Sequence, residues 1–252
     1  AKLRLFMLVS DVKKRFSKAS LTYQKEALVQ KHMGEVLSKK LATYSFSRIL
    51  EIGCGSGNFS KELLTNFPEA CLYLNDLSPK MLELCQEQFK DRAFYIEGDA
   101  GKISFDNNFD LICGCASFQW FMDFKGTLKK LCDHLNDDGI LAFAIFGKEH
   151  FYEVKAISGI GLDYFSKDSL LNILDDVGLQ SEITSENITV HFKSALEMLR
   201  HFKKTGVGAI SHKMWTRGRL FKFLDDYEKN FSDDLGVKLT WQPVYVVCKK
   251  IK

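Results

Sequence analysis

A chain of 252 residues with 46% hydrophobic and 27% charged residues has the make-up of a globular protein, one that buries about 70–75% of its unfolded surface. Its net charge of +3 excludes a strongly polyelectrolyte character, and its seven cysteines include no C-x-x-C pair, which fits reduced thiols in a cytoplasmic protein better than disulfides or a metal site. No apolar run approaches the roughly 18 residues that a membrane span needs, and the opening AKLRLFMLVS has no cleavage site after its short apolar run, so no leader is expected.

From Ser10 to Leu41 apolar residues recur at helical spacing, which predicts one or two amphipathic helices. SRILEIG follows as a short continuous apolar run, the pattern of a strand buried on both faces. NFSKELLTNF is helical and stops before Pro68, and ACLYLND is a second strand. SPKMLELCQEQF opens with Ser78 as N-cap and Pro79 at the first helical position. AFYIEGD and FDLICGCA are the third and fourth strands, and KGTLKKLCDHL is a helix. NDDG predicts a turn into a fifth strand, ILAFAIFG. Beyond it SKDSLLNILDDVGL is a capped helix and SEITSENITVHF is strand-like. KSALEMLRHFKK and RGRLFKFLDDYEKNF are helices, and GVKLTWQPVYVVCKK closes the chain as one strand. Strands separated by crossovers of helical length from Arg48 to Gly147 predict a doubly wound parallel α/β sheet with helices on both faces.

RILEIGCGSGNFS, residues 48–60, places Gly53, Gly55 and Gly57 at alternate positions directly after the first strand. A bare loop between strand and helix serves a phosphate, a nucleoside or a tight turn. A phosphate loop needs G-x-x-x-x-G-K-[ST], which is absent, and in the dinucleotide pattern Asn58 stands where the third glycine belongs.

The arrangement Glu51-x-Gly53-x-Gly55-x-Gly57 resembles motif I of the class I S-adenosylmethionine-dependent methyltransferases. Further stations agree with that family: Asp76 ends the second strand 21 residues after Gly55, Asp99 ends the third, and NDDGILAFAIF resembles the glycine turn into strand five. The resemblance implies a Rossmann-like, mostly parallel seven-stranded sheet and S-adenosylmethionine as cofactor. It implies one domain over residues 1–252, with a helical lid (1–46), a cofactor-binding core (47–147) and a C-terminal part (148–252) carrying lid helices and the last strands. Gly53, Gly55 and Gly57 are then expected to let the methionine moiety approach the backbone, and Glu51 to hold its ammonium directly or through water. Asp76 takes the ribose hydroxyls, Leu77 covers the adenine, and Asp99 and Ala100 meet its edge; Cys115, after strand four, is counted with these contacts. No metal is expected.

For the methyl acceptor, Gln119-Trp120 is similar to a dipeptide of two carboxylate methyltransferase groups, acting on malonyl-carrier protein and on trans-aconitate. Phe16, Ala19 and Tyr23 in VKKRFSKASLTYQKEA, the segment LRHFKKTGVGA (199–209) and the closing strand resemble the former group, linked to biotin synthesis. That resemblance implies Tyr23, Gln119 and Trp120 as the transfer-site residues, with Tyr23 positioning the acceptor or covering the cofactor. Residues 148–164 contain no arginine to bind a carboxylate; His150 is either a base for a hydroxyl or amine acceptor or an ordinary core or surface histidine. Residues 193–222 hold eight Lys/Arg (Lys193, Arg200, Lys203, Lys204, Lys213, Arg217, Arg219 and Lys222) against the single Glu197. A basic surface steers acidic partners, so malonyl-bearing acyl carrier protein is the expected partner, with a solvated helix face or nucleic acid as the alternatives and a monomer as the expected state.

Overall fold

The computed structural model describes residues 28–159, 161, 163–205 and 216–251, with 203–205 as backbone only. Tyr23 and Lys213, with the rest of 1–27 and 206–215, lie outside the described residues, as do the side chains of Lys203 and Lys204.

Helix α1 (Leu28–Leu41) buries Val29, Met33, Leu37 and Leu41, one residue per turn, each contributing about 1.5–3 kcal/mol if fully withdrawn from water. There follow β1 (Arg48–Ile52), α2 (Asn58–Asn66), β2 (Cys71–Asp76), α3 (Pro79–Phe89), β3 (Ala93–Glu97), β4 (Phe109–Cys115), α4 (Phe124–Asp133) and β5 (Leu135–Phe146). The remainder is α5 (Tyr152–Ser158), α6 (Lys167–Asp176), β6 (Leu179–Ser185), β7 (Ile188–Phe192), α7 (Ala195–Thr205), α8 (Arg217–Phe231), β8 (Ser232–Asp233), β9 (Gly236–Trp241) and β10 (Pro243–Lys250).

The seven-stranded sheet has the order β3-β2-β1-β4-β5-β10-β6; β1 to β5 run parallel, and β10 is antiparallel to both β5 and β6. Both faces are covered, which is why the strands read as continuous apolar runs. Ile49, Leu111, Ile140, Ala142 and Ala144 pack on the face of α1, α2 and α3, while Leu50, Ile112, Leu141, Phe143 and Ile145 pack against α4 and α6. Among the described residues no helix is long and apolar enough to cross a membrane.

Four local expectations need correction. NDDG is not a turn before β5 but lies within it: Asn136–Asp138 form an exposed irregularity, tied to β4 by an Asn136 Nδ2–H bond to Asp110 Oδ1 (2.7 Å). The closing run is not one strand. It breaks at Gln242, so Trp241 ends β9 in a three-stranded sheet (β7-β9-β8) and Pro243 begins β10 in the large one. SEITSENITVHF divides in the same way into β6 and β7, one in each sheet. Ser78 stands at the N-cap of α3 with Pro79 following, but its hydroxyl caps no backbone N–H; instead its own N–H donates to Asp76 Oδ1 (2.8 Å). Ser166, by contrast, caps α6 through the Ser169 N–H (3.2 Å).

Candidate active site

At the carboxyl ends of β1, β2 and β4 lies a cleft of about 330 Å³. In an open α/β sheet this is where the topology places ligands. The chain leaves β1 through the glycine loop, whose first residues hang on β2: Gly53 N–H and Cys54 N–H both donate to Asn75 O (2.8 and 3.0 Å). Gly53 has φ +72° and a Cβ there would sit 2.4 Å from Ser117 Cβ, so no other residue fits without moving the β4 loop. Gly55 (φ +54°) borders the cleft, and a Cβ there would meet no other atom within 4 Å, which leaves its backbone open to a ligand.

Asp76, at the end of β2, accepts from Gly55 N–H through Oδ2 (2.9 Å) and from Ser78 N–H through Oδ1 (2.8 Å), so one carboxylate fixes the glycine loop and the start of α3. Buried Asn75 donates to Ile96 O (3.0 Å) and Gly98 O (3.1 Å), locking the ends of β2 and β3 together. Asp99 accepts from Gly101 N–H (3.0 Å) and lies 3.5 Å from Lys102 Nζ. Across the cleft, the loop after β4 supplies Ala116, Ser117, Trp120, Phe121 and Met122. Ala116 has a left-handed backbone (φ 55°), held by its N–H on Ala144 O (2.8 Å) and by the Gln119 Nε2–H bond to its carbonyl (2.9 Å). Ser117 Oγ–H donates to Ile52 O (2.6 Å), pinning this loop to β1.

Of the residues expected from sequence, Gly53, Gly55, Asp76, Leu77, Asp99, Ala100, Cys115 and Trp120 line the cleft. Glu51, Gly57 and Gln119 stand behind that lining. Glu51 is buried and accepts from Ser60 Oγ–H of α2 (2.6 Å). Burial pushes its carboxyl up to about 8, against the lowering effect of the Ser60 bond and with a further rise from the Asp76 charge. Burial also raises the Cys115 thiol, whose Sγ lies 3.6 Å from Gln30 O in α1. Sequence reasoning missed Asn75, Ala116 and Ser117; only the dense apolar-aromatic run around the β4 loop hinted at the latter two.

The lining suits S-adenosylmethionine. Among the described residues, three carboxylates (Asp76, Asp99 and Asp123) line the cleft with Lys102 as the one lysine, which matches a cationic ligand, and Leu77 and Met81 give an apolar wall for a base. Among the described residues no His/Cys/Asp/Glu group is arranged to hold a metal ion.

Comparisons with known proteins agree with this geometry. A family model described as a methyltransferase domain matches residues 49–139. Among solved structures, the YcgJ protein of Bacillus subtilis superposes with a TM-score of 0.66 at 14% identity, covering 88% of this chain and 99% of that one. A putative methyltransferase in complex with the Haloferax volcanii Trm112 activator gives 0.64 at 16% identity, over 96% and 98%. Both likenesses concern the fold. In sequence, the malonyl-[acyl-carrier protein] O-methyltransferase of Bacteroides thetaiotaomicron is 33% identical over 96% of this chain and 98% of its own length. The protein of that name from Calditerrivibrio nitroreducens is 34% identical over 95% and 96%. That of Bacteroides fragilis is 36% identical, and there the chain spans 50% of the relative's length. The chain belongs to the malonyl-[acyl-carrier protein] O-methyltransferase family.

Proposed function

We propose that the chain methylates the free carboxylate of a malonyl thioester on acyl carrier protein, with S-adenosylmethionine as donor, in the synthesis of the pimeloyl precursor of biotin. The observation that carries this reading is similarity to enzymes of that name over nearly the full length of both chains. When bound, the cofactor supplies a methyl group on a cationic sulfur, which the acceptor oxygen displaces. A carboxylate is already ionised at neutral pH, so the protein needs no general base. Its task is alignment and exclusion of water that would stabilise the anion.

The described residues divide this work. Gly53 and Gly55 present bare backbone, Asp76 accepts from ribose hydroxyls, and Leu77, Asp99 and Ala100 hold the base. Glu51, behind the loop, answers the ammonium directly or through water. Trp120, Phe121 and Met122 shield the transfer point, and Gln119 holds their loop in shape through Ala116. Tyr23 positions the acceptor from the N-terminal segment.

The carrier docks on the basic stretch 193–222. In its described part, α8 exposes Arg217, Arg219, Phe221 and Lys222, with the Arg217 guanidinium 5.8 Å from the Phe221 ring centre. Two arginines in the first turn oppose the helix dipole, so they do not serve the helix itself. An acidic helical partner supplies their counter-charge. All seven thiols are free, as suits a reducing cytoplasm.

The reading is tested by offering tritiated cofactor with malonyl-carrier protein, trans-aconitate and RNA in parallel. Label on the carrier protein is expected; label on trans-aconitate or RNA alone would replace this reading with a small-acid or an RNA methyltransferase.

A further inference from the structure

His150 is 3% exposed, and neither Nδ1 nor Nε2 has a hydrogen-bond partner among the described residues. Its ring lies between Phe146 (centroids 3.9 Å apart, 10° between planes) and Phe151 (3.7 Å, 26°). Tyr164 (5.0 Å) and Trp241 (5.1 Å) meet it edge-on. Trp241 is 1% exposed, and its Nε1–H is also without a partner among the described residues. Buried polar atoms are nearly always paired, so three orphaned nitrogens in one aromatic box call for a ligand. Burial lowers the His150 pKa well below its ordinary value, which keeps the imidazole neutral.

The box lies at the same end of the sheet as the cleft. Phe146 ends β5, two residues past Ala144, whose carbonyl accepts from Ala116 N–H of the cleft lining. Phe146 also belongs to the packed face that includes Cys115, another lining residue. Phe151 closes one side with a left-handed backbone (φ 55°, ψ 35°), a conformation a bulky residue holds only under strain.

We propose that His150 and Trp241 receive the malonyl end of the acceptor, donating an imidazole N–H and the indole N–H to its carboxylate, with Phe151 and Tyr164 moving aside to admit it. This rests on the substrate reading above. It answers the lack of an arginine in residues 148–164. Neutral donors orient a carboxylate without the charge stabilisation that would blunt its attack, and the aromatic walls accommodate the uncharged ester that forms.

His150→Phe keeps a ring in the stack and removes both orphaned nitrogens. We expect a raised melting temperature, unchanged cofactor affinity by calorimetry, and a KM for malonyl-carrier protein raised on the order of tenfold or more. His150→Gln, which restores an amide N–H, recovers part of the loss. Independently of any variant, the ¹⁵N imidazole signals of His150 in the wild-type protein should shift saturably with malonyl-pantetheine and stay still with acetyl-pantetheine. A stable His150→Phe protein with the wild-type KM would overturn the proposal, as would imidazole signals indifferent to the malonyl compound. If the wild-type enzyme transfers no methyl to malonyl-carrier protein, the substrate reading falls first and this inference with it.

Discussion

Asp76 couples two tasks in one carboxylate: it binds the backbone of the glycine loop and the start of α3, and it lines the cleft proposed to take the cofactor. Charge-assisted hydrogen bonds contribute about 1.5–3 kcal/mol each, so Asp76→Ala should weaken S-adenosylmethionine binding by on the order of tenfold or more. Calorimetry on the folded variant measures this, and an unchanged affinity would remove Asp76 from the cofactor site. Glu51 carries a pH signature. Its carboxyl ionises near 4.5 in a solvated chain and near 8 in the fold, so across that window the folded state keeps a proton that the unfolded state has lost. The contribution of Glu51 to the stability of the ligand-free protein is therefore fully present below the lower value and is lost as pH rises towards the upper one. Glu51→Gln keeps an acceptor for Ser60 and lacks this dependence; the wild type should lose denaturant resistance relative to the variant between about pH 5 and about pH 8. A constant difference would mean that Glu51 ionises normally. The motif residues were legible because backbone chemistry dictates them: a loop with φ +72° beneath Ser117 admits only Gly53. Asn75 was not, because its role depends on carbonyls at the end of β3 that only the folded sheet brings within reach.

At the scale of elements, the parallel strands were visible for a physical reason: a strand covered on both faces loses its alternation and reads as one apolar block. That same property hid the break at Gln242. Trp241 and Val244 are both buried, one in each sheet, so the apolar run resumes at once and Gln242-Pro243 is the one short mark of the change. The glycine and acids of NDDG signal a turn, yet the Asn136–Asp110 bond keeps them in β5. Helix α8 offers a test at this scale. Arg217 and Arg219 crowd positive charge onto its N-terminus, capped by Thr216 Oγ1 accepting from Arg219 N–H (3.3 Å). Replacing both with Glu should leave the helix intact or slightly firmer, since acids at this end suit the dipole by about 0.3–1 kcal/mol each. The same change should raise the KM for malonyl-carrier protein and flatten its salt dependence, while turnover of malonyl-pantetheine stays near wild type. Equal losses on both substrates would move the docking surface elsewhere.

Over the whole molecule, the sheet builds the cleft that suits the methyl donor, and the groups proposed for the acceptor lie in the segments around it. The cofactor side could be inferred because its stations are short local motifs at the ends of successive strands, Gly53 and Gly55 after β1, Asp76 at the end of β2 and Asp99 after β3, whose spacing resembles the methyltransferase pattern. The proposed acceptor groups, His150 after β5 and Trp241 in the small sheet, lie far apart in the chain, so the sequence pointed to an acceptor only through resemblance and through the basic charge of residues 193–222. In the proposed function a free carboxylate on a carrier-bound thioester takes the methyl group. The most direct measurement is the intact mass of malonyl-carrier protein after incubation with enzyme and S-adenosylmethionine, beside acetyl-carrier protein, which has the same thioester and no free carboxylate. The account predicts one added methyl on the malonyl form, located on the malonyl group by fragmentation, and none on the acetyl form. Methyl transfer to both forms, or to neither, would contradict it.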